Sequence, residues 1–448
     1  MALRNWSENI LFSSAPIHEP QTVEQLQEIV RASRKVRVLG ARHSFNDAAA
    51  IDAQVDVDGT QEVNEDTSAA YISLEKLEAP LEFDSERGTV TCNAGITYGE
   101  LCTRLNAEGM ALHNTASLPH ISVAGACSTA THGSGDGNGN LATAVVGLEM
   151  VTADGELKSL TLEKDREEFE GSVVSLGGLG VVTRMTLSTE PAYLMQQYVY
   201  EDLPSAELYQ NFDEIMSKAY SVSLFPDWQG GVVNQVWFKH RTGLVNGRNG
   251  QDPAQLEPVD LALPSELYGA RAATTHVHPV PDFSADGLTL QMGMPGPWHD
   301  RLHHFQIDST PASGDELQTE YFVPRAHAVP ALQAVEGLRD RFSSTLWISE
   351  IRSVAADRLW LSQSYATPTI GIHFSWRKNW PAVREVMPLV EEALAPFEVR
   401  PHWGKLFSIP PRQVQAAYPK MEDFRDLLRS SDPDGKFRNG YLDRFVFG

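Results

Sequence analysis

This sequence predicts an α+β chain of two domains, and three observations carry that reading. Its 448 residues are enough for two hydrophobic cores. Near the N-terminus an amphipathic helix, an alternating strand and a glycine turn follow one another, the start of an α/β unit. Further along, three stretches alternate polar and apolar residues with period two, the pattern of an antiparallel sheet with one polar stripe. Composition shifts near Pro191, and the first domain is expected to end there.

Bulk properties narrow the function. The hydrophobic fraction of 42% is ordinary for a globular protein, while a net charge of −23 and a pI near 5.0 exclude nucleic acid and anionic membrane as partners. Cys92, Cys102 and Cys127 lack metal-site spacing, and any disulfide leaves one of them over, so reduced thiols in a cytoplasm are expected. Met1 to Phe12 carries Arg4, Asn5, Glu8 and Asn9 around no apolar run. Neither a signal peptide nor a membrane span is expected.

Taken in order, Thr22 opens the first helix with a Thr22-x-x-Gln25 capping box and Leu26, Ile29 and Val30 on one face. Val36–Leu39 alternates as a strand and runs into Gly40-Ala-Arg-His-Ser-Phe-Asn46, placing His43 in a turn at the strand's end. Short strands are expected near Val55–Val57, Tyr71–Leu74 and Thr89–Cys92. A helix follows Gly95-Ile-Thr-Tyr-Gly99 and closes at Gly109 in the C′ position. The stretch Asn114–Gly139 has small, hydroxylic or absent side chains, so its amides can approach an anion such as a pyrophosphate. Val123, Ala124, Ala126 and Ala130 within it are apolar, unlike a solvated linker. Its glycines do not form the G-x-G-x-x-G turn of a Rossmann fold. Val145–Val151 reads as a strand closed by the Asp154-Gly155 turn. Ser175–Thr183 has glycines beside apolar residues, the pattern of backbone packed on a flat ligand or of a ligand-free buried turn.

Beyond Pro191, residues 230–311 are rich in Gly, Pro, His and Asn, with long connections that carry specificity or motion. His276, His278, His303 and His304 lack a clear third ligand, so no metal is expected. Gln318–Val323, Trp347–Arg352 and Ile370–Trp376 are the three alternating strands. They put Glu350 with Arg352 on one face of one strand, and His373 with Ser375 on one face of another strand; a solvated sheet face reads the same way. A helix over Trp380–Leu394, then Arg400-Pro-His-Trp-Gly-Lys405 and Asp432-Pro-Asp-Gly-Lys-Phe-Arg-Asn439, complete the chain.

Together GARHSFN, ASLPHISVAG with THGSG, SEIRSVAAD, RPHWGK and DPDGKFRN resemble, in that order, the vanillyl-alcohol oxidase family of FAD-linked oxidases, and within it the bacterial alditol oxidase subgroup. The resemblance covers nearly the whole chain. It implies a two-domain fold with an FAD domain at 1–190, completed by 407–448, and an antiparallel-sheet substrate cap at 191–406. FAD would be covalent through His43. The backbone of Val38, Leu39, Gly40, Ala41, Arg42, His43 and Ser44, with Ser117, Ser122, Gly125, Thr129, Ala130, Thr131, His132 and Val182, would hold the cofactor. The polyol pocket would use Ser117, Gln318, Glu350, Arg352, Ser375 and Lys405. Three positions depart from the pattern: Ser375 replaces a threonine, Arg42 a glycine, and Ala126-Cys127 a Ser-Val pair.

Flavin-dependent oxidation of an alcohol removes a hydroxyl proton and a hydride, so cations near the hydroxyl favour it. Lys405 and Arg352 supply that charge, and His373 is the candidate proton acceptor or the residue that orients Lys405. The implied reaction takes a terminal primary alcohol of an alditol such as xylitol or sorbitol to the aldose, with molecular oxygen giving hydrogen peroxide. Ala116 beside the flavin would permit oxygen to approach. A monomer is expected. The competing readings are an aldonolactone oxidase or dehydrogenase, a non-catalytic flavin- or sugar-binding protein, and a metal-dependent hydrolase.

Overall fold

The computed structural model describes residues 3–51, 53–55, 68–244, 259–309 and 314–448. The N-terminal part is built on two small sheets. In one, Lys35–Leu39 and Ile17–His18 flank Ala69–Ser73 in parallel. The other is antiparallel, in the order Leu157–Thr161, Val145–Val151, Val181–Ser188, Thr89–Asn93, Glu82–Asp84. Helix Val23–Ala32 starts where Thr22 Oγ1 accepts from the Gln25 amide at 3.3 Å, while Gln25 reaches back to the Gln21 amide at 2.9 Å. Helix Tyr98–Ala107 ends at Gly109 with φ +72°, which only glycine adopts without cost. Of the strand expected near Val55–Val57, Ala53–Val55 is seen and the remainder lies outside the described residues.

The C-terminal motif returns to this part of the molecule. Lys436 O accepts from the Val36 amide, and Asn439 Nδ2 donates to Ala48 O and Ala50 O. The buried Arg37 guanidinium ties the loops together, donating to the carbonyls of Ala48, Leu176, Gly177 and Phe437. One arginine on the first alternating strand thus joins the glycine-rich segment near 177 to the chain's end.

Residues from Tyr193 onward build a ten-stranded antiparallel sheet. Its functional half has Thr369–Arg377 between Leu346–Val354 and Glu316–Pro324. Register aligns His373 with both Glu350 and Glu320, and Ser375 with Gln318, so period-two alternation gathers polar groups on one face. The other face is apolar: Phe374 and Trp376 stack at 5.0 Å, and Val383, Val386 and Val390 of helix Trp380–Leu394 are buried. Among the described residues no helix is long and apolar enough to cross a membrane.

Candidate active site

The polar face of this sheet closes one end of a cavity of about 680 Å³ that runs back between the two parts of the molecule. Residues 38–44, Ser122, Gly125, Thr129, Thr131, His132 and Val182 line it, and so do Ser117, Gln318, Glu350, Arg352, His373, Ser375 and Lys405. Ala130, expected among them, is packed in the core with φ +52°. The stretch Asn114–Gly139 contributes a six-residue helix, Val123–Ser128, and the turns around it. Backbone comes close here by necessity: a Cβ on Gly40 would lie 2.2 Å from Ser122 Oγ, and one on Gly125 2.7 Å from the same atom. Arg42 sits at φ +55°, a left-handed conformation that a glycine would adopt at lower cost.

His43 projects into this cavity beside Trp6, ring centroids 4.4 Å apart. Its Nε2 is buried without a hydrogen-bond partner. Burial, and then Lys405, push its pKa down to about 4, leaving a neutral imidazole at physiological pH. A neutral ring with an orphaned nitrogen, beside a long cradle of small residues and backbone, fits FAD in extent and in chemistry.

At the closed end the centre of the site is a residue absent from the expected pocket, Glu320. Its buried carboxylate receives Lys405 Nζ at 2.6 Å, Arg352 Nη2 at 2.9 Å and His132 Nε2 at 3.0 Å. Burial raises its pKa, but Lys405, His132 and Arg352 outweigh that and hold it well below the usual carboxylate range. Gly371 makes this meeting fit, since a Cβ there would stand 3.2 Å from Glu320 Oε1. Lys405 Nζ also donates to His373 Nδ1 at 2.9 Å, and His373 Nε2 meets Ser375 Oγ at 3.1 Å. Burial, and then Lys405, push His373 down to about 3; burial also lowers Lys405. Glu350 is held low because Arg352 and His304 outweigh its burial, with His304 Nε2 at 2.8 Å.

The two motifs GARHSFN and RPHWGK are stitched together. Asn46 Nδ2 donates to Trp403 O and Lys405 O, both at 2.8 Å, and Gly404 O accepts from the Phe45 amide. On the other side the Leu406 amide donates to Gln318 O and the His402 amide to Glu320 O, each at 2.9 Å. The lysine backbone is therefore held between the His43 turn and the cap strand. Glu320 and His304 were missed because one acidic residue on an alternating strand reads as a solvated face, and a histidine pair without a third ligand reads as incidental.

Residues 15–161 match the family model described as FAD binding domain, and residues 314–445 that of D-arabinono-1,4-lactone oxidase. Alditol oxidase from Streptomyces sp. (strain IKD472 / FERM P-14339) is 42% identical over 98% of both chains. L-gulono-1,4-lactone dehydrogenase of Mycobacterium tuberculosis is 26% identical over 99% of this chain and 98% of its own. Among solved structures, cholesterol oxidase from B. sterolicum superposes with TM-score 0.75 at 15% identity, over 99% of this chain and 96% of that one, which speaks to the fold. With nearly the full length of both chains shared at 42% identity and an FAD-domain match over the very segments that line the cradle, this chain belongs to the vanillyl-alcohol oxidase family of FAD-linked oxidases, in the group that holds alditol and aldonolactone oxidases.

Proposed function

We propose that this protein oxidises the terminal primary alcohol of an alditol to the aldose, with oxygen as electron acceptor and FAD covalently held by His43. The observation that carries the reading is the buried Lys405–Glu320–Arg352 cluster, ringed by Ser117, Gln318, Glu350 and Ser375. Such a set of donors and acceptors suits several neutral hydroxyls and rejects analogues lacking one. FAD, when bound, supplies the hydride acceptor. Lys405, anchored by Glu320 and His373, directs an ammonium N–H at the oxygen that becomes negative as the hydroxyl proton leaves. The proton passes to Lys405 where burial, by lowering its pKa, leaves it a neutral amine; the ammonium so formed, with Glu320 and His373 Nδ1 accepting its other N–H bonds, is what faces the alkoxide. Arg352, held by the same Glu320 carboxylate, would favour the negative charge of the reduced flavin. Buried, unpaired Cys92, Cys102 and Cys127 support a reducing, cytoplasmic setting for this enzyme.

An aldonolactone is the second reading, because the D-arabinono-1,4-lactone oxidase match spans Glu320, Arg352, His373 and Lys405. Anaerobic mixing decides between them: xylitol or sorbitol should bleach the flavin, and galactono- or gulonolactone should do so poorly. Faster bleaching by a lactone than by any alditol would transfer the assignment. No bleaching by either would favour a non-catalytic binding protein.

A further inference from the structure

The chemistry proposed above leaves a second buried cation unused. Lys239, on strand Val232–Leu244, is 1% exposed and has no carboxylate within ion-pair distance among the described residues. Its Nζ donates to Leu302 O at 2.6 Å and His303 O at 3.0 Å, and lies 3.1 Å from His304 Nδ1. Burial pushes the Lys239 pKa well below its ordinary value while Glu350 pulls it back up; whether as ammonium or as amine, Nζ stands among three acceptors and can give an N–H to His304 Nδ1. The lone pair of His304 Nδ1 is thereby occupied, so the ring proton resides on Nε2, which faces Glu350 Oε1 at 2.8 Å. The rings of Trp237 and Phe225 stand 5.0 Å and 5.7 Å from this imidazole and restrict its rotation.

We propose that Lys239 and His304 are positioning residues that hold the Glu350 carboxylate in its substrate-binding pose, Lys239 fixing the imidazole as a donor toward Glu350. The same segment also grips the flavin side of the pocket. His304 N donates to Ser117 O at 3.0 Å, His303 Nδ1 lies 2.8 Å from Ala116 O, and Thr289 Oγ1 holds His303 O at 2.8 Å. One buried lysine therefore organises both Glu350 and the Ala116–Ser117 turn. A buried ammonium costs several kcal/mol in desolvation that an apolar side chain would avoid, so packing alone does not account for it. The charged and titratable groups facing His304 are Lys239, Glu350, Arg352 and His303; burial and Lys239 push its pKa down to about 4 against the pull of Glu350.

This inference rests on Glu350 as a substrate ligand, and the test separates the two. In the holoenzyme, Lys239→Met and His304→Asn should each raise the alditol KM about tenfold, the scale of one hydrogen bond to a charged group, with kcat within about threefold. His304→Gln, whose amide N–H falls where Nε2 stood, should recover most of that loss. Lys239→Met should also move the onset of any acid rise in KM to higher pH than in wild type, since it removes the second cause that holds His304 low while burial, the first, remains. Unchanged KM in both Lys239→Met and His304→Asn, or equal effects of His304→Asn and His304→Gln, would overturn the proposal. The His304 pair decides the matter should Lys239→Met fail to fold. A ¹⁵N histidine spectrum needs no substrate: the neutral Nε2–H form of His304 in wild type, lost in Lys239→Met, is the expected result. An Nδ1–H or doubly protonated ring in wild type would overturn it. A wrong substrate assignment would instead appear as failure of alditols to reduce the wild-type flavin.

Discussion

Lys405 shows how one residue's chemistry depends on its surroundings. In water its ammonium would interact weakly with a developing alkoxide; in a closed, dry pocket the same charge counts for much more. Lys405→Met keeps an unbranched chain and removes the charge. Stopped-flow reduction under saturating xylitol should slow by ~3–4 kcal/mol, about two to three orders of magnitude, with flavin content unchanged. A rate within about threefold of wild type, less than ~0.7 kcal/mol, would move the role to Arg352 or His373. His43 is the second test at this scale. Acid precipitation should leave the yellow colour in the protein pellet, and a peptide containing His43 should carry the flavin mass; release of all colour to the supernatant would remove the covalent link. That both residues line the cavity was legible in the sequence because each sits in a short, distinctive motif. Glu320 was not: its importance comes from three donors, the cations Arg352 and Lys405 and the imidazole of His132, which lie 32, 85 and 188 residues away.

Strands are where sequence and structure agree best, because a half-buried strand writes its two faces directly into alternation. The stretches Gln318–Val323, Trp347–Arg352 and Ile370–Trp376 all fall inside observed strands, at Glu316–Pro324, Leu346–Val354 and Thr369–Arg377. Helix Trp380–Leu394 has the expected bounds. Which strands neighbour one another was not legible, since the partners of Thr369–Arg377 are set by packing of the whole sheet. Register then places Ser375 beside Gln318 in the pocket, its hydroxyl on His373. Ser375→Thr would add one methyl at this wall and leave the hydroxyl in place. The ratio of kcat/KM for sorbitol to that for xylitol should fall, by about tenfold at most, the lower end of what one carbon decides in a fitted pocket. An unchanged ratio would show that the end of the polyol does not reach this strand.

At the scale of the molecule, the site exists only because distant segments of the chain meet. The His43 turn, the Glu320 strand and the Lys405 segment are joined by Asn46 and by main-chain bonds from Leu406 and His402. Composition shifts near Pro191, but nothing in the sequence signals these cross-links; the return of the C-terminus was implied by resemblance alone. The assembly also buries many histidines in the neutral form, and that has a pH consequence. Burial is the largest cause of the low pKa values of His303 and His373, about 3, and of His304, about 4, against an ordinary value of 6.5. A depressed pKa means that the unfolded chain takes up protons that the folded one does not. The stability these groups provide is therefore full above pH 6.5 and is lost as pH falls toward 4 and then 3. Each contributes a slope of up to about 1.4 kcal/mol per pH unit in that window. Glu320 and Glu350, both held low, add their own loss below about 4.5, their ordinary value. The thermal midpoint should hardly change from about pH 8 to 7 and then fall by about 5 °C toward pH 5.5, a fall that Asp357 partly offsets, because burial raises its pKa to about 6 and the fold takes up its proton before the unfolded chain does. A midpoint flat to pH 5 would mean that these histidines are protonated in the fold. His304→Gln provides the control, since removing one buried imidazole should make the acid slope shallower by about one proton.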